Sequence, residues 1–380
     1  MDWSKGYSAR YQMTEVDPVT WRDISTLRLT GGKIDRSADG LKESADIDMT
    51  EDPGEKWIRI YLDARQNGAA SRTALFTGLT SAPKREIDGR RNTFSAACYS
   101  VLKPCDDILL PRGWYAPAGA DGAKLIARLL DVIAPVSYAG QKKTINTIDY
   151  VTDEITDENG SVLTTENGSV LTTKQDNQIG IISSVITGGE IASPELSTAI
   201  IAEDRETRLT MAQKIADAIN WNIRITGMGE IVIEPYNTEI KAVFSPDADM
   251  IEPKLSVEND WYSCPNVFRA IMDGMAAVAR DDSADSRLST ISRGREIWQE
   301  ETDCDLSGSE TLSAYAIRRL KELQNPSKTV SYDRRYNPDV AIGSYVRLNY
   351  PQISGTVKVT SQSVTLGYAC TTAEEGEMVE

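Results

Sequence analysis

The sequence predicts a β-rich α+β protein, on three observations. Apolar and polar residues alternate through roughly the first hundred positions, a helical period takes over after Pro111, and alternation returns in the last third around one helix. Ala45, Ile47 and Met49 alternate with polar residues, as do Ile58, Ile60 and Leu62 within Trp57–Leu62, which is the period of two expected of half-buried strands. Thr73–Thr77 reads as a further strand ending at Gly78, and Phe94–Leu102 as another. Gly31-Gly32, Pro53-Gly54 and Asp88-Gly89 read as the turns between them. Short strands with frequent turn signals predict a small barrel or sandwich.

Beyond Pro111, Asp121 is placed to cap a helix carrying Ile126, Leu129, Leu130 and Ile133 on one face, with Pro135 just past its end. A second helix over about 207–219 has Leu209, Ala212, Ile215, Ala216 and Ile219 as its stripe. It leads into strands over 222–225 and 231–233, joined by a Gly227-Met228-Gly229 turn. The middle third is therefore a mixed α/β region. Between the two helices, Glu158–Thr165 is repeated without change at Glu166–Thr173. Two short copies cannot form a solenoid. The segment reads either as a protruding β-arm built on its Asn-Gly turns or as a duplication tolerated in an exposed loop.

In the last third, Ser307 and Glu310 fit a capping box for a helix whose face is Leu312, Ala316, Leu320 and Leu323, stopped by Asn325-Pro326. Strands follow at Val346–Tyr350, Val357–Val359 and Val364–Leu366, and the tail Glu374-Glu375-Gly376-Glu377 reads as solvated.

Composition narrows the chemistry. The 380 residues are 40% hydrophobic and 26% charged, in the ordinary range for a soluble globular protein of two or three domains. Histidine is absent, which excludes His-based triads, His general bases and His metal ligands. A net charge of -16 opposes nucleic-acid reading. The five cysteines, Cys98, Cys105, Cys264, Cys304 and Cys370, form no CxxC pair and read as reduced, buried thiols of a protein assembled in a cytoplasm. MDWSKGYSARY lacks a secretory apolar core, and no run reaches the roughly 18 apolar residues of a membrane span.

Catalytic and binding signatures are weak. Gly227-Met228-Gly229 has Val232 where a dinucleotide loop needs its third glycine, and it joins strand to strand. Ser81-Ala82-Pro83-Lys84 matches SxxK spacing but carries a proline and lacks companion motifs. Asp157–Gly160 would need an acidic calcium ligand at position 155, which is Ile155. Asp281-Asp282-Ser283-Ala284-Asp285 reads as a solvated loop. No carboxylate pair stands out for glycoside hydrolysis. No catalytic, cofactor-binding or metal-ligating residue is assigned, and no cofactor is expected.

Certain stretches resemble a known family. Leu75-Phe76-Thr77-Gly78, following the Trp57–Leu62 strand and preceding one that ends Tyr99-Ser100-Val101-Leu102, resembles the first barrel of tailed-bacteriophage tail hub (baseplate hub) proteins. Asn337–Leu348 is similar to the family's entry into its second barrel, and Val357–Ser361 with Val364–Leu366 to its closing pair of strands. Gly343-Ser344 departs from the usual Gly-Asp, and the 158–173 duplication has no counterpart.

The resemblance implies two small β-barrel domains with an intervening α/β domain: a first hub barrel over 1–113, an α/β domain over 114–238 with its insert at about 145–185, and a second barrel over 239–380 with an inserted helix at about 308–324. It further implies a non-enzymatic homotrimer at the virion tail tip, related to the base of type VI secretion spikes and assembled in the host cytoplasm. Two barrels in each of three chains would adapt a sixfold tube to a threefold tip. The implied partners are a tail tube or distal tail protein hexamer, a tape-measure protein and a tail fibre or spike, with DNA only in transit and no stable membrane association. The acidic balance fits a channel along which DNA slides. The alternatives are a tail-associated cell-wall hydrolase and a receptor- or carbohydrate-binding tail protein.

Overall fold

The computed structural model describes residues 1–3, 5–81, 83–88, 91–138, 141–150, 153–154, 172–173, 180–187, 193–245, 250–259, 261–272, 274–302, 304, 311–324 and 328–379. Among the described residues strand far outweighs helix, and the strands form several sheets. Among the described residues no sheet closes on itself. By backbone proximity the chain forms two compact units. Unit 1 is Met1–Glu239 with Arg335–Ile342 and Ser361–Thr372, and unit 2 is Ile240–Arg334 with Gly343–Thr360 and Ala373–Glu380.

Unit 1 opens with eight strands: β1 (Ser8–Val16), β2 (Asp23–Leu27), β3 (Leu29–Ser37), β4 (Lys42–Met49), β5 (Trp57–Gln66), β6 (Ala69–Thr80), β7 (Lys84–Asp88) and β8 (Arg91–Ser100). They run β3-β4-β8-β6-β5-β1-β2, with β7 added on β8. On β4, Ala45, Ile47 and Met49 are buried and the residues between them are not, as alternation demands. β5 departs from that expectation: Trp57 through Leu62 are buried on both faces.

Two glycine readings are corrected. Gly78 does not end β6 but lies inside it, where a Cβ would overlap the Tyr99 carbonyl of β8. Gly31-Gly32 is not a turn but part of β3, beside a register shift. A Cβ on Gly32 would stand 2.5 Å from the Asp46 carbonyl oxygen. Glycine there serves close backbone approach. Ile34, Ile47, Ile58, Ile60, Leu62, Leu75 and Phe76 form this core, together with Val364, Leu366 and Cys370 from far along the chain.

The rest of unit 1 comprises α1 (Lys103–Asp107), β9 (Tyr115–Ala116), α2 (Gly122–Leu130), β10 (Val136–Tyr138), β11 (Gln141–Tyr150), β12 (Asp153–Glu154), β13 (Thr172–Thr173), β14 (Gly180–Thr187), β15 (Ile200–Ile201), α3 (Arg208–Ala218), β16 (Trp221–Ile225) and β17 (Ile231–Pro235). Asp121 caps α2 by accepting from the Lys124 N–H at 2.9 Å. The helix stops at Leu130, so Ile133 lies beyond it. Thr207 caps α3 in a reciprocal pair with Thr210. The helices pack on a sheet ordered β14-β11-β10-β17-β16, with β16 and β17 as the expected antiparallel hairpin. β11 pairs antiparallel with β14, and β12 with β13. The duplicated segment lies outside the described residues except at Thr172–Thr173.

Unit 2 contains β18 (Ile240–Phe244), β19 (Met250–Asn259), β20 (Val267–Met272), β21 (Met275–Arg280), α4 (Thr290–Arg293), β22 (Trp298–Thr302), α5 (Leu312–Leu323), β23 (Lys328–Arg335), β24 (Tyr345–Asn349), β25 (Ser354–Thr365) and β26 (Thr371–Val379). A three-stranded sheet, β21-β20-β22, carries α5 on one face through Phe268, Ala270, Ala279, Tyr315, Ala316 and Leu320. The N-cap of α5 is Thr311, accepting from Ala314 N–H at 3.3 Å, rather than Ser307, which lies outside the described residues.

The expected break between Val359 and Val364 does not occur. β25 is one twelve-residue strand whose first half pairs with β24 and whose last residues, Ser361–Thr365, pair with β3 inside unit 1. The acidic tail is corrected too. It forms strand β26, with Glu374 buried and Gly376 so close to β25 that a Cβ would strike Val357. A carboxylate is drawn inside because an arginine meets it there.

Candidate functional site

All five cysteines are free and buried. Burial pushes the Cys98 thiol up to about 12, helped by Asp46, and that of Cys105 also to about 12. Such thiols are poor nucleophiles. Among the described residues no group of three or more Cys, Asp or Glu is placed to hold a metal. The sequence motifs do not converge either. Lys84 pairs with Glu86 on exposed β7, and Asp281 accepts from Ser286 Oγ and the Ser283 N–H, which orders its own loop. Asp282 takes Arg280 at 2.8 Å and also binds the Thr290 hydroxyl. Asp157–Gly160 lies outside the described residues.

The most elaborate polar constellation in unit 1 is built on Arg59, an outward position of β5 whose side chain is only 1% exposed. Its guanidinium donates to Asp23 Oδ1 at 2.7 Å, to Thr77 Oγ1 at 3.0 Å and to the Met228 carbonyl at 3.0 Å. Tyr61 donates to the other Asp23 oxygen at 2.7 Å. The Thr77 hydroxyl donates to the Gly227 carbonyl at 2.8 Å, and Trp21 Nε1 donates to Met228 O at 2.9 Å while its ring lies 5.5 Å from that of Trp57.

The Gly227-Met228-Gly229 turn is therefore a peg, pressed onto β5 and β6 by its backbone carbonyls. A Cβ on Gly227 would overlap the Ala74 carbonyl. Gly229 has φ +75, and a Cβ there would lie 2.8 Å from Thr77 Cβ. This explains the two-sided burial of β5. Sequence reasoning had the turn but missed its receptor. The one available signal was an arginine inside an apolar strand.

Two further arginines are locked to carboxylates. Arg36 of β3 donates from Nε to Glu43 Oε1 at 2.7 Å, directly across the hairpin to β4, and from Nη2 to the Leu75 carbonyl. Glu43 Oε2 is buried without a hydrogen-bond partner, and burial pushes this carboxyl up against the pull of Arg36. In unit 2, Arg334 and Glu374 are 1% and 0% exposed and form a bidentate pair, with Nε to Oε2 at 2.8 Å. Arrangements of this kind fix strands and segments in register; they present no reacting atom to a substrate.

Neither a family model nor a curated protein matches the sequence. The fold, by contrast, has clear counterparts among solved structures. It is similar to the tail protein from Neisseria meningitidis MC58, with a TM-score of 0.56 and 12% identity over 98% of this chain and 97% of that one. It is equally similar to the 43 kDa tail protein of prophage MuSo2 from Shewanella oneidensis, with a TM-score of 0.55 and 12% identity over 97% and 98%. A lesser likeness, TM-score 0.48 at 7% identity over 99% of this chain and 53% of that one, is to the Francisella PdpA–VgrG complex. The chain shares its fold with these two tail proteins. Among the described residues no helix is long and apolar enough to cross a membrane.

Proposed function

We propose that this chain is a structural hub of a phage tail tip or baseplate. Its work is mechanical rather than enzymatic. It assembles in the host cytoplasm as a homotrimeric ring in which two small barrels per chain face a sixfold tail tube or distal tail protein. The threefold side faces a fibre or spike. The ring closes the tube, anchors the tape-measure protein and opens for DNA. The domain plan is the one the resemblance implies, with hub barrels over 1–113 and 239–380 and the α/β domain over 114–238.

The observation that carries this reading is the end-to-end likeness of fold to two tail proteins, one of them from a prophage, each spanned almost completely. The buried arginine locks support it, because a ring that bears load needs strands that do not slip in register. The test is solution mass by light scattering over a range of concentrations. A mass of three times 41.8 kDa is expected, and a monomer at every concentration counts against the ring.

A further inference from the structure

In unit 1 the outward face of β1, β5 and β6 carries an excess of positive charge. Ala9 and Met13 of β1 and Ile58, Ile60, Leu62 and Ala64 of β5 enter the core, so Arg10, Asp63 and Arg65 point outward by alternation. Arg10 stands opposite Asp63 and Asp63 opposite Arg72, in one row across three strands. Arg65 follows two residues along β5, about 7 Å from that row. All three arginines are exposed. Asp63 reaches Arg72 only at 3.9 Å, and the Arg72 guanidinium lies over the Tyr61 ring, 4.0 Å from its centroid. Among the described residues no carboxylate pairs with Arg10 or Arg65. The other acids close by are taken, Asp23 by Arg59 and Asp2 by Lys5. Three arginines thus answer to one aspartate in a chain whose net charge is -16.

The opposite imbalance lies on β4 and the turn that follows it. Ala45, Ile47 and Met49 are buried, which turns Asp46 and Asp48 outward, about 7 Å apart on one side of the strand. Glu51, Asp52 and Glu55 come next, before β5, and all five acids are exposed. Among the described residues none of the five has an ion-pair partner. The lysines around them are held by other acids: Lys33, across from Asp46, by Asp35 at 2.9 Å, Lys56 by Glu15 at 2.9 Å, and Lys84 by Glu86 at 2.7 Å. On the other side, Ala97 and Ser95 of β8 stand across from Asp46 and Asp48 and bring no charge. The inner faces of β4, β1 and β5 meet in one core, and β8 and β6 separate β4 from β5 in the sheet. The two charged faces therefore look to different sides of unit 1.

We propose that the Arg10–Arg65–Arg72 face docks on the Asp46–Glu55 face of a second copy of this chain, head to tail. The occupant is a copy because the chain itself supplies the complement, unmatched guanidiniums on one side and unmatched carboxylates on another. The step from Asp46 to Asp48 equals the step from the Arg10 row to Arg65, so the acids of one strand meet both rows at once. A two-fold contact cannot engage two faces that look to different sides, whereas a head-to-tail contact uses both and closes into a ring or runs on as a filament. DNA at the arginines meets the repulsion of the rest of the chain. The assignment rests on the ring reading only for the number of copies that close the contact.

The test measures the mass of the full-length chain by light scattering over a range of concentrations at about 50 mM salt, where surface charges are weakly screened. Association is expected. Arg10→Glu with Arg65→Glu, or Asp46→Lys with Asp48→Lys, is expected to weaken it about tenfold or more, with melting curves unchanged because every substituted side chain is exposed. All four substitutions in one chain restore opposite charges across the contact and are expected to bring the association back. A chain that is monomeric at every concentration overturns the proposal. So does a fourfold variant that stays apart, and so does an assembly indifferent to either pair of reversals. In that last case a mass of three times 41.8 kDa leaves the ring standing. Association that follows the charge swap but closes at another mass supports the contact and refutes the trimer, so either idea can fail alone.

Discussion

Gly227→Ala probes the peg that joins the α/β part of unit 1 to its β-strands. The new methyl would lie well inside the 3.0 Å that real Cβ contacts keep, against the Ala74 carbonyl, so the turn must back away from β6 by roughly 1 Å. At that displacement the Thr77–Gly227 bond of 2.8 Å and the Arg59–Met228 and Trp21–Met228 bonds of 3.0 and 2.9 Å pass beyond hydrogen-bonding distance. Two neutral bonds at about 1 kcal/mol each and one charge-assisted bond at about 1.5–3 kcal/mol put the loss near 3–5 kcal/mol. Urea unfolding followed by tryptophan fluorescence, which reads Trp21 and Trp57, measures it. Gly31→Ala is the control, since its nearest neighbour would be a flexible Asp48 oxygen at 3.6 Å. If Gly227→Ala unfolds at the same urea concentration as Gly31→Ala, the peg carries no energy and the account of β5 burial fails.

The two buried ion pairs are expected to respond differently. Glu374→Gln breaks a fully satisfied pair and costs about 3–5 kcal/mol in urea unfolding, whereas Arg334→Met with Glu374→Leu together recovers most of that loss. Glu43→Gln keeps the oxygen that meets Arg36 and is mild. Because burial raises the Glu43 carboxyl above its ordinary 4.5, the folded protein holds that proton more tightly than the unfolded chain does. Its contribution is full below the ordinary value and is lost as pH rises through the folded one, so thermal melts should turn in favour of the glutamine variant on going from acid to neutral pH. Ellman's reagent should titrate no thiol rapidly in the native protein and all five after guanidinium unfolding, since every cysteine is buried.

What could be read from sequence was whatever a short window contains. The cap at Asp121 and the alternation of β4 need only neighbours within a few residues, and the structure has them in place. Positions whose meaning lies far along the chain were misread. Gly78 and Gly32 look like turn glycines until the carbonyls of Tyr99 and Asp46 are brought against them. Glu374 looks like a solvated tail residue until Arg334, forty positions away, reaches it. Arg59 looks like the solvent-facing residue of an alternating strand until a turn 169 residues later covers it.

Unit 1 closes on residues from both early and late in the chain: the Tyr7 hydroxyl meets the Tyr336 carbonyl, the Tyr11 hydroxyl meets the Gly367 carbonyl, and β3 waits for Ser361–Thr365. During synthesis the early strands therefore emerge from the ribosome long before the segment that seals their edge and completes their core. A nascent chain stalled anywhere before residue 361 holds an open β3 edge and an unfilled core, the condition in which strands aggregate or recruit a chaperone. Unit 1 is complete only once the segment through Thr372 has been made.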